Sequence, residues 1–343
     1  MTNTTLINMR VGITGFGRIG KLVFRIIEDA RQNGHSMTVV AINCPSVTSE
    51  NLQYLINYDS VHSCSKFDIE TTENTATVNG NTIQLFRERN PADIPWTTAA
   101  VDCVIECTGA FKTQQTAGAH LQQGVKTVVV SAPSTDIPMF VMGVNHASYQ
   151  PDMRIVSNAS CTTNCLAPVA KVLHDHFEIQ EGFLSTIHSI TSSQNTLDGR
   201  ASKNIRIGRS SQNIIPSTTG ATKALGVVVP ALKDKITGMS YRVPTNNVSV
   251  IDFSFRTAAA TTYADMIRVL RAAANTTLAG ILRCSDDELV SSDFIGDPHS
   301  VIVDVKLGQQ IGQRFFKIVA WYDNEWGYSQ RVVDLVNYIH SKH

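Results

Sequence analysis

The chain has no long hydrophobic run, no excess charge of either sign, no internal repeat and no low-complexity tract. Of its 343 residues, 29 are Lys or Arg and 29 are Asp or Glu. A formal net charge of zero lacks the basic footprint that nucleic-acid binding needs. No apolar stretch approaches the ~20 residues that span a bilayer, so no membrane partner is expected. The opening MTNTTLINMR has neither a basic start nor an apolar core, so no secretory signal is read and a cytoplasmic protein is expected. The seven cysteines are an odd number in a long chain, which favours free thiols in a reducing compartment over a disulfide framework. Most free cysteines are small core residues.

What is present describes an ordinary globular protein, 43% hydrophobic and 17% charged, with length for about two domains of roughly 150 residues. In the first 160 residues short apolar runs alternate with helical patterns. MRVGITGFG reads as a buried strand entering a glycine turn, followed by a helical stripe of Ile19, Leu22, Val23, Ile26 and Ile27. SMTVVAIN, VDCVIECTG and VKTVVVSAP read as further strands. Continuous apolar strands separated by helices predict a doubly wound α/β domain with a parallel, Rossmann-type sheet. Later strands such as FLSTIHSIT, GMSYRVPT and NVSVIDFSFRT partly alternate, which predicts an α+β domain on a mixed, mostly antiparallel sheet. The expected boundaries are 1–160 for the first domain, completed by the C-terminal helix 324–343, and 161–323 for the second, with Cys161 at their junction. The polar stretch from Ser193 to Gly220 has little periodicity and reads as a long functional loop.

Gly15-Phe16-Gly17-Arg18-Ile19-Gly20 fits G-x-G-x-x-G between a strand and a helix. The first glycine permits the tight turn, the second lets a pyrophosphate approach, and the third lets helix and strand pack. The helix N-terminus adds unpaired N–H groups. A dinucleotide site normally places an acid at the end of the second strand. Here VVAIN runs into Cys44, with no acid before Glu50. That weakens the case for strict NAD use.

SNASCTTNC, from Ser157 to Cys165, places two cysteines four apart at the start of a helical run. A cysteine at a helix N-terminus gains thiolate character from the dipole and the free N–H groups. Helical i,i+4 spacing disfavours an unstrained disulfide. Zinc needs a second half-site; His174 and His176 are too closely spaced to supply one, and no metal is expected. A nucleophile needs a base within reach, and STIHSIT offers His188. On spacing alone a satisfied structural histidine is the leading reading of His188.

SNASCTTNCLAPVAKVL resembles the active-site segment of the phosphorylating glyceraldehyde-3-phosphate dehydrogenase family. GFGRIG, YDSVH, SAPSTDIPMFVMGVN, NIIPSTTGATKA, YRVPTNNVSVID and WYDNEWGYS resemble further segments of that family, in its order, from about residue 9 to the C-terminus. The resemblance implies that Cys161 attacks an aldehyde. A hydride then passes to NAD, and inorganic phosphate cleaves the resulting thioester to give an acyl phosphate. It implies that His188 ion-pairs with the thiolate and acts as acid and base. It places Thr191 and Arg242 at the substrate phosphate, and Ser160, Thr162, Thr219, Gly220 and Arg206 at the attacking phosphate. Arg18, Ile19, Arg89 and Ser131 match cofactor contacts, and Asn324 and Tyr328 match residues that set the nicotinamide carboxamide. A homotetramer is also implied, with the long loop facing a neighbouring cofactor.

Three positions depart from the pattern. Cys44 replaces the usual acid. TSSQ stands for TNDQ, so Ser193 replaces an aspartate. DGRASK puts Arg200 where proline is common, and the loop is one residue short around GRSSQN, which leaves the register of Arg206 and Arg209 open. Cys44 and Arg200 together raise NADP as an alternative cofactor. Two other readings stand beside this one. Erythrose-4-phosphate dehydrogenase shares ASCTTNC but usually lacks a threonine three residues after the histidine. A redox-sensing or binding paralogue would keep the fold without the chemistry.

Overall fold

The computed structural model describes residues 9–200 and 205–342. The opening segment read for targeting and the Ala-Ser-Lys of DGRASK lie outside the described residues. The chain divides into two compact units. The first comprises 1–140, 148–159 and 329–343, and the second 141–147 and 160–328.

The first unit contains β1 (Met9–Thr14), α1 (Arg18–Gln32), β2 (Met37–Asn43), α2 (Ser49–Asn57), β3 (Ile69–Thr71), β4 (Thr75–Val78), β5 (Asn81–Phe86), β6 (Cys103–Glu106), α3 (Gln114–Gly118), β7 (Thr127–Val130) and β8 (Ile155–Ser157). Its sheet has the order β3-β4-β5-β2-β1-β6-β7-β8. The run from β5 to β8 is parallel, and β3 and β4 extend it as an antiparallel ribbon. Strand order reverses at β1 and β6, the place where open α/β sheets bind ligands. Val11, Ile13, Val104, Ile105, Val128 and Val129 are buried, as expected for strands covered on both faces. Leu22, Val23, Ile26 and Ile27 bury the predicted stripe of α1. Trp96 is fully buried, and a side chain at Gly12 would meet its ring at 2.7 Å. Only glycine lets β1 lie this close to the indole.

The second unit contains α4 (Cys161–Phe177), β9 (Ile179–His188), β10 (Ile215–Thr218), α5 (Ala221–Val228), β11 (Ile236–Arg242), β12 (Ser249–Thr257), α6 (Tyr263–Ala274), β13 (Leu282–Ser285), β14 (Val301–Ile311) and β15 (Phe315–Tyr322). The sheet order is β10-β11-β9-β12-β15-β14-β13. It is mixed: β11 with β9 and β13 with β14 pair in parallel, and the other neighbours pair antiparallel. Helix α7 (Trp326–His340) carries the chain from the second unit into the first.

The division departs from the expected boundaries in two places. Residues 141–147 join the second unit because their turn is pressed onto it: a Cβ at Gly143 would lie 2.5 Å from Leu278 and 2.9 Å from Ile281. The start of α7 also belongs there. The Asp323 carboxylate accepts from the N–H groups of Glu325, Trp326 and Gly296 and so ties it down. The long polar stretch is also less irregular than its composition implies. It holds a 3₁₀ turn at Ile205–Gly208 and the edge strand β10, whose Pro216 suits an edge.

Candidate active site

Cys161 is the first residue of α4, and its position follows from the cap before it. The Ser160 hydroxyl accepts from the Thr163 N–H at 3.1 Å and fixes where the helix begins. Ala159, two residues before the cysteine, holds a φ of +55°, a left-handed turn that delivers the chain to the cap. Cys165, one turn further in, is fully buried, and burial pushes its thiol well above the ordinary value. It is a packing residue.

His188 ends β9, and its Nε2 lies 3.5 Å from Cys161 Sγ. In the parallel register of β9 and β11, Arg242 stands opposite His188. The Arg242 guanidinium donates through Nη1 to His188 Nδ1 at 2.6 Å and to the Ser189 carbonyl at 3.1 Å. The same carbonyl lies 2.8 Å from His188 Nδ1. No carboxylate pairs with Arg242 among the described residues.

Burial and the neighbouring Arg242 charge set the electrostatics of the pair. Burial pushes the Cys161 thiol up, against the Arg242 charge and the N–H groups at the helix start, which pull it down. Burial, then the same guanidinium, pushes the His188 imidazole down to about 3. Desolvation works against the charged form of each group, and the Arg242 charge works for the thiolate and against the imidazolium. The cation facing the sulfur is Arg242.

Beneath these groups lies a buried polar layer that sequence reasoning did not single out. Tyr322 packs its ring edge-on to His188 at 6.1 Å, and its hydroxyl is 2.9 Å from the Thr162 hydroxyl. Thr162, expected at a phosphate, thus points its hydroxyl inward. Asn324 is held through Oδ1, which accepts from Ser189 Oγ at 2.9 Å and from Ser249 Oγ at 2.8 Å. This orientation fixes the amide whose Nδ2 the resemblance assigns to the cofactor. Ser249 follows Val248, a buried β-branched residue at φ +66°, a strained conformation of the kind that concentrates at functional sites. Serines at these positions carry no spacing signal, and only the fold brings them to Asn324.

The remaining expected residues of this unit are more open. The Thr191 hydroxyl lies 3.0 Å from that of Ser193, so the serine that replaces aspartate bonds the expected phosphate ligand. Thr219 and Gly220 precede α5, and nothing lies within 4 Å of a Cβ built at Gly220. Arg206 is exposed in the 3₁₀ turn, and Arg209 pairs with Asp198 at 3.0 Å. Arg200 is exposed in the loop, and Tyr328 is buried in the first turn of α7.

In the first unit the three glycines divide their work as expected. Gly15 has φ +84°, and a Cβ there would meet Thr108 N at 2.6 Å. A Cβ at Gly20 would meet the Gly15 carbonyl oxygen at 2.0 Å, whereas Gly17 has nothing within 4 Å and stays open to a ligand. Gly17 caps α1 without any side-chain hydrogen bond of its own, as a residue with no side chain must. This cradle fits a pyrophosphate. The Arg18 guanidinium is engaged by Asp59, whose carboxyl is held below its usual range. Cys44, the residue after β2, is half-buried, its Sγ 3.3 Å from Ser46 Oγ. Asn43 exchanges hydrogen bonds with the Glu88 backbone, so β2 ends beside the segment carrying exposed Arg89. Ser131 donates to the Glu106 carbonyl at 2.9 Å.

A second buried network supports this cradle and was not read from the sequence. Glu106 accepts from Thr108 through both its N–H and its hydroxyl. Its other oxygen lies 3.2 Å from His120 Nε2, and Trp96 Nε1 donates to His120 Nδ1 at 3.2 Å. Among the described residues no helix is long and apolar enough to cross a membrane, and no cluster of three metal-ligating side chains occurs.

Comparison with known proteins agrees with this layout. Residues 9–114 match the family model of the glyceraldehyde 3-phosphate dehydrogenase NAD binding domain, and residues 160–324 match that of its C-terminal domain. Glyceraldehyde-3-phosphate dehydrogenase 1 of Schizosaccharomyces pombe is 49% identical over 97% of this chain and 98% of its own. The cytosolic glyceraldehyde-3-phosphate dehydrogenase of Chondrus crispus is 50% identical over 96% and 98%. Glyceraldehyde-3-phosphate dehydrogenase 2 of Drosophila melanogaster is 48% identical over 97% and 99%. With both domains matched and half of the residues shared along nearly the whole length, the chain belongs to the glyceraldehyde-3-phosphate dehydrogenase family.

Proposed function

We propose that this protein oxidises glyceraldehyde 3-phosphate with inorganic phosphate to 1,3-bisphosphoglycerate. The observation that carries the reading is the row Cys161, His188, Arg242: nucleophile, base and uncompensated cation, linked at 3.5 and 2.6 Å. Cys161 gives its proton to His188 Nε2 as sulfur attacks the aldehyde carbon, forming a thiohemiacetal. The N–H groups at the start of α4 face the oxygen on which charge develops. His188, now protonated, gives that proton to the oxygen, and takes it back as the carbon gives up its hydride and the carbonyl re-forms as a thioester. Phosphate then displaces the Cys161 thiolate. Ser160 and the start of α5 at Thr219 and Gly220 offer donors for that anion, and Thr191 and Arg242 offer donors for the substrate's own phosphate.

The Gly15–Gly20 cradle and Ser131 would hold NAD, whose nicotinamide supplies the hydride acceptor. NADP is a second reading, favoured by one feature: Cys44 leaves the end of β2 without the carboxylate that would repel a 2′-phosphate, with the free cation Arg89 on the neighbouring segment. Arg200 in the loop adds a further cation. Parallel initial rates with NAD and NADP test this. Turnover with NADP supports the open site, and turnover with NAD alone removes it.

We further infer a cytosolic homotetramer. The sheet of the second unit leaves Phe183 and Met239 exposed, and the stretch between β9 and β10 exposes Ile205 and Ile214. Apolar residues in this number on one unit suit burial against another copy. Sedimentation that yields a monomer at micromolar concentration overturns that inference.

A further inference from the structure

Glu106 is a carboxylate at the end of an otherwise apolar strand. It closes β6, which pairs with β1 where the strand order of the sheet reverses, and it is 1% exposed. A carboxylate this deep is tolerated only where donors meet both of its oxygens. Here they come from two directions. On the inner side His120 is fully buried, and its Nε2 lies 3.2 Å from Oε2. Trp96 Nε1 donates to His120 Nδ1 at 3.2 Å, which leaves Nε2 to carry the ring proton toward the carboxylate. On the outer side Oε1 accepts from Thr108 through its backbone N–H at 2.6 Å and through its hydroxyl. The Thr108 hydroxyl accepts in turn from the Ala110 N–H at 3.1 Å. A carboxylate anchored from within thus fixes the turn Thr108-Gly109-Ala110.

That turn lies against the glycine cradle. A Cβ at Gly15 would meet Thr108 N at 2.6 Å and Thr108 Cα at 2.8 Å. Thr108, Gly109 and Ala110 are exposed, and Gly109, at φ +70°, has nothing within 4 Å of a Cβ. Its outer side is bare backbone, as at Gly17 in the cradle. The Glu106 carbonyl also accepts from the Ser131 N–H and hydroxyl, both at 2.9 Å, which ties in the loop after β7. Open α/β sheets take their ligands outside the carboxyl ends of the strands at such a reversal. One residue joins the loops there.

We propose that Glu106 is a positioning residue for the dinucleotide: acting through Thr108, it sets a second lip beside the Gly15–Gly20 turn that closes on the adenosine diphosphate half of the ligand. This rests on the reading of that turn as a pyrophosphate cradle. An apolar residue at the end of β6 would suit the core at less cost, but it could not hold Thr108. A lip already fixed in the free protein loses little freedom when the ligand arrives, so its effect falls on affinity and not on the chemical step.

The test is calorimetric titration of the full-length protein with NAD and with ADP-ribose, which keeps the adenosine diphosphate half and lacks nicotinamide. Thr108 is exposed, so Thr108→Val removes the hydroxyl without opening the core. It is expected to bind both probes about tenfold more weakly, the size of one hydrogen bond to a charged group. Its melting temperature should hold, and KM for NAD should rise while kcat does not fall. Thr108→Ser restores the hydroxyl and is expected to bind as the wild type does. Glu106→Gln keeps the shape but turns an amide N–H toward His120 Nε2–H, and it is expected to weaken both probes as well. If Thr108 acts through Glu106, the double variant Glu106→Gln/Thr108→Val binds no more weakly than the weaker single variant. Losses that multiply overturn the proposal, because Thr108 is then a ligand contact in its own right. Thr108→Val that binds as the wild type does overturns it too, and this arm needs no buried substitution to fold. Weakening of NAD that ADP-ribose does not share overturns the placement on the adenosine diphosphate half. Wild-type protein that binds neither probe overturns the cradle reading, and the proposal with it.

Discussion

Trp96 settles which nitrogen of His120 carries its proton. Trp96 Nε1 can only donate, and it donates to His120 Nδ1 at 3.2 Å, so the proton of a neutral ring lies on Nε2, toward Glu106. Glu106 in turn grips Thr108, whose backbone N lies against Gly15. A buried chain of donors thus runs from the core to the glycine turn. His120→Leu leaves the buried Glu106 oxygen without its donor. An unpaired buried charge costs about 3–5 kcal/mol, so a fall in stability of about 3 kcal/mol is expected in urea melts.

The two glycines of the cradle should fail differently. A Cβ at Gly20 strikes backbone, the Gly15 carbonyl, whereas a Cβ at Gly17 strikes nothing within the protein. Gly17→Ala is expected to keep its melting temperature and lose dinucleotide affinity by at least about tenfold, about 1.4 kcal/mol. Gly20→Ala is expected to lose both. Calorimetric titration alongside thermal melts distinguishes the two; equal behaviour of the variants contradicts the assignment.

Restoring an acid at the end of β2 tests the cofactor reading. Cys44→Asp places a carboxylate where a 2′-phosphate would lie. Like charges brought together cost several kcal/mol, so KM for NADP is expected to rise by about tenfold or more while NAD gains or is unchanged. Matched kinetics with the two cofactors check this.

The buried histidine makes stability depend on pH. The folded pKa of His188 is pushed down to about 3, while an unfolded histidine titrates near 6.5. Between those values the unfolded chain binds a proton that the folded chain refuses. The contribution is present in full above about pH 6.5 and is lost as pH falls toward about 3. Replacing His188 by Asn removes that proton. The slope of unfolding free energy against pH in this window is expected to fall by about 1.4 kcal/mol per pH unit. Denaturant melts at a series of pH values read it directly.

Much of the site was legible because its signals are local. The glycine turn, the capped helix start at Ser160 and Cys161, and the stripe of α1 each depend on neighbours in sequence. Arg242 and His188 could be placed together only by the family resemblance, since they are joined by a parallel strand pairing that spacing does not reveal. The inward turn of Thr162 toward Tyr322, the serines behind Asn324 and the Glu106–His120–Trp96 chain were missed. Each is a pairing of ordinary residue types across long separations, decided by packing.

The central claim is that Cys161 and His188 form a phosphate-dependent aldehyde-oxidising centre. The most direct measurement is the initial rate of cofactor reduction, followed by absorbance, with glyceraldehyde 3-phosphate and NAD or NADP, with and without inorganic phosphate. Wild type, Cys161→Ala and His188→Asn are compared. The account expects phosphate-dependent turnover by the wild type, none by Cys161→Ala, and a kcat reduced about 10²–10⁴-fold in His188→Asn. Wild-type protein that reduces neither cofactor, or Cys161→Ala that still turns over, would contradict it.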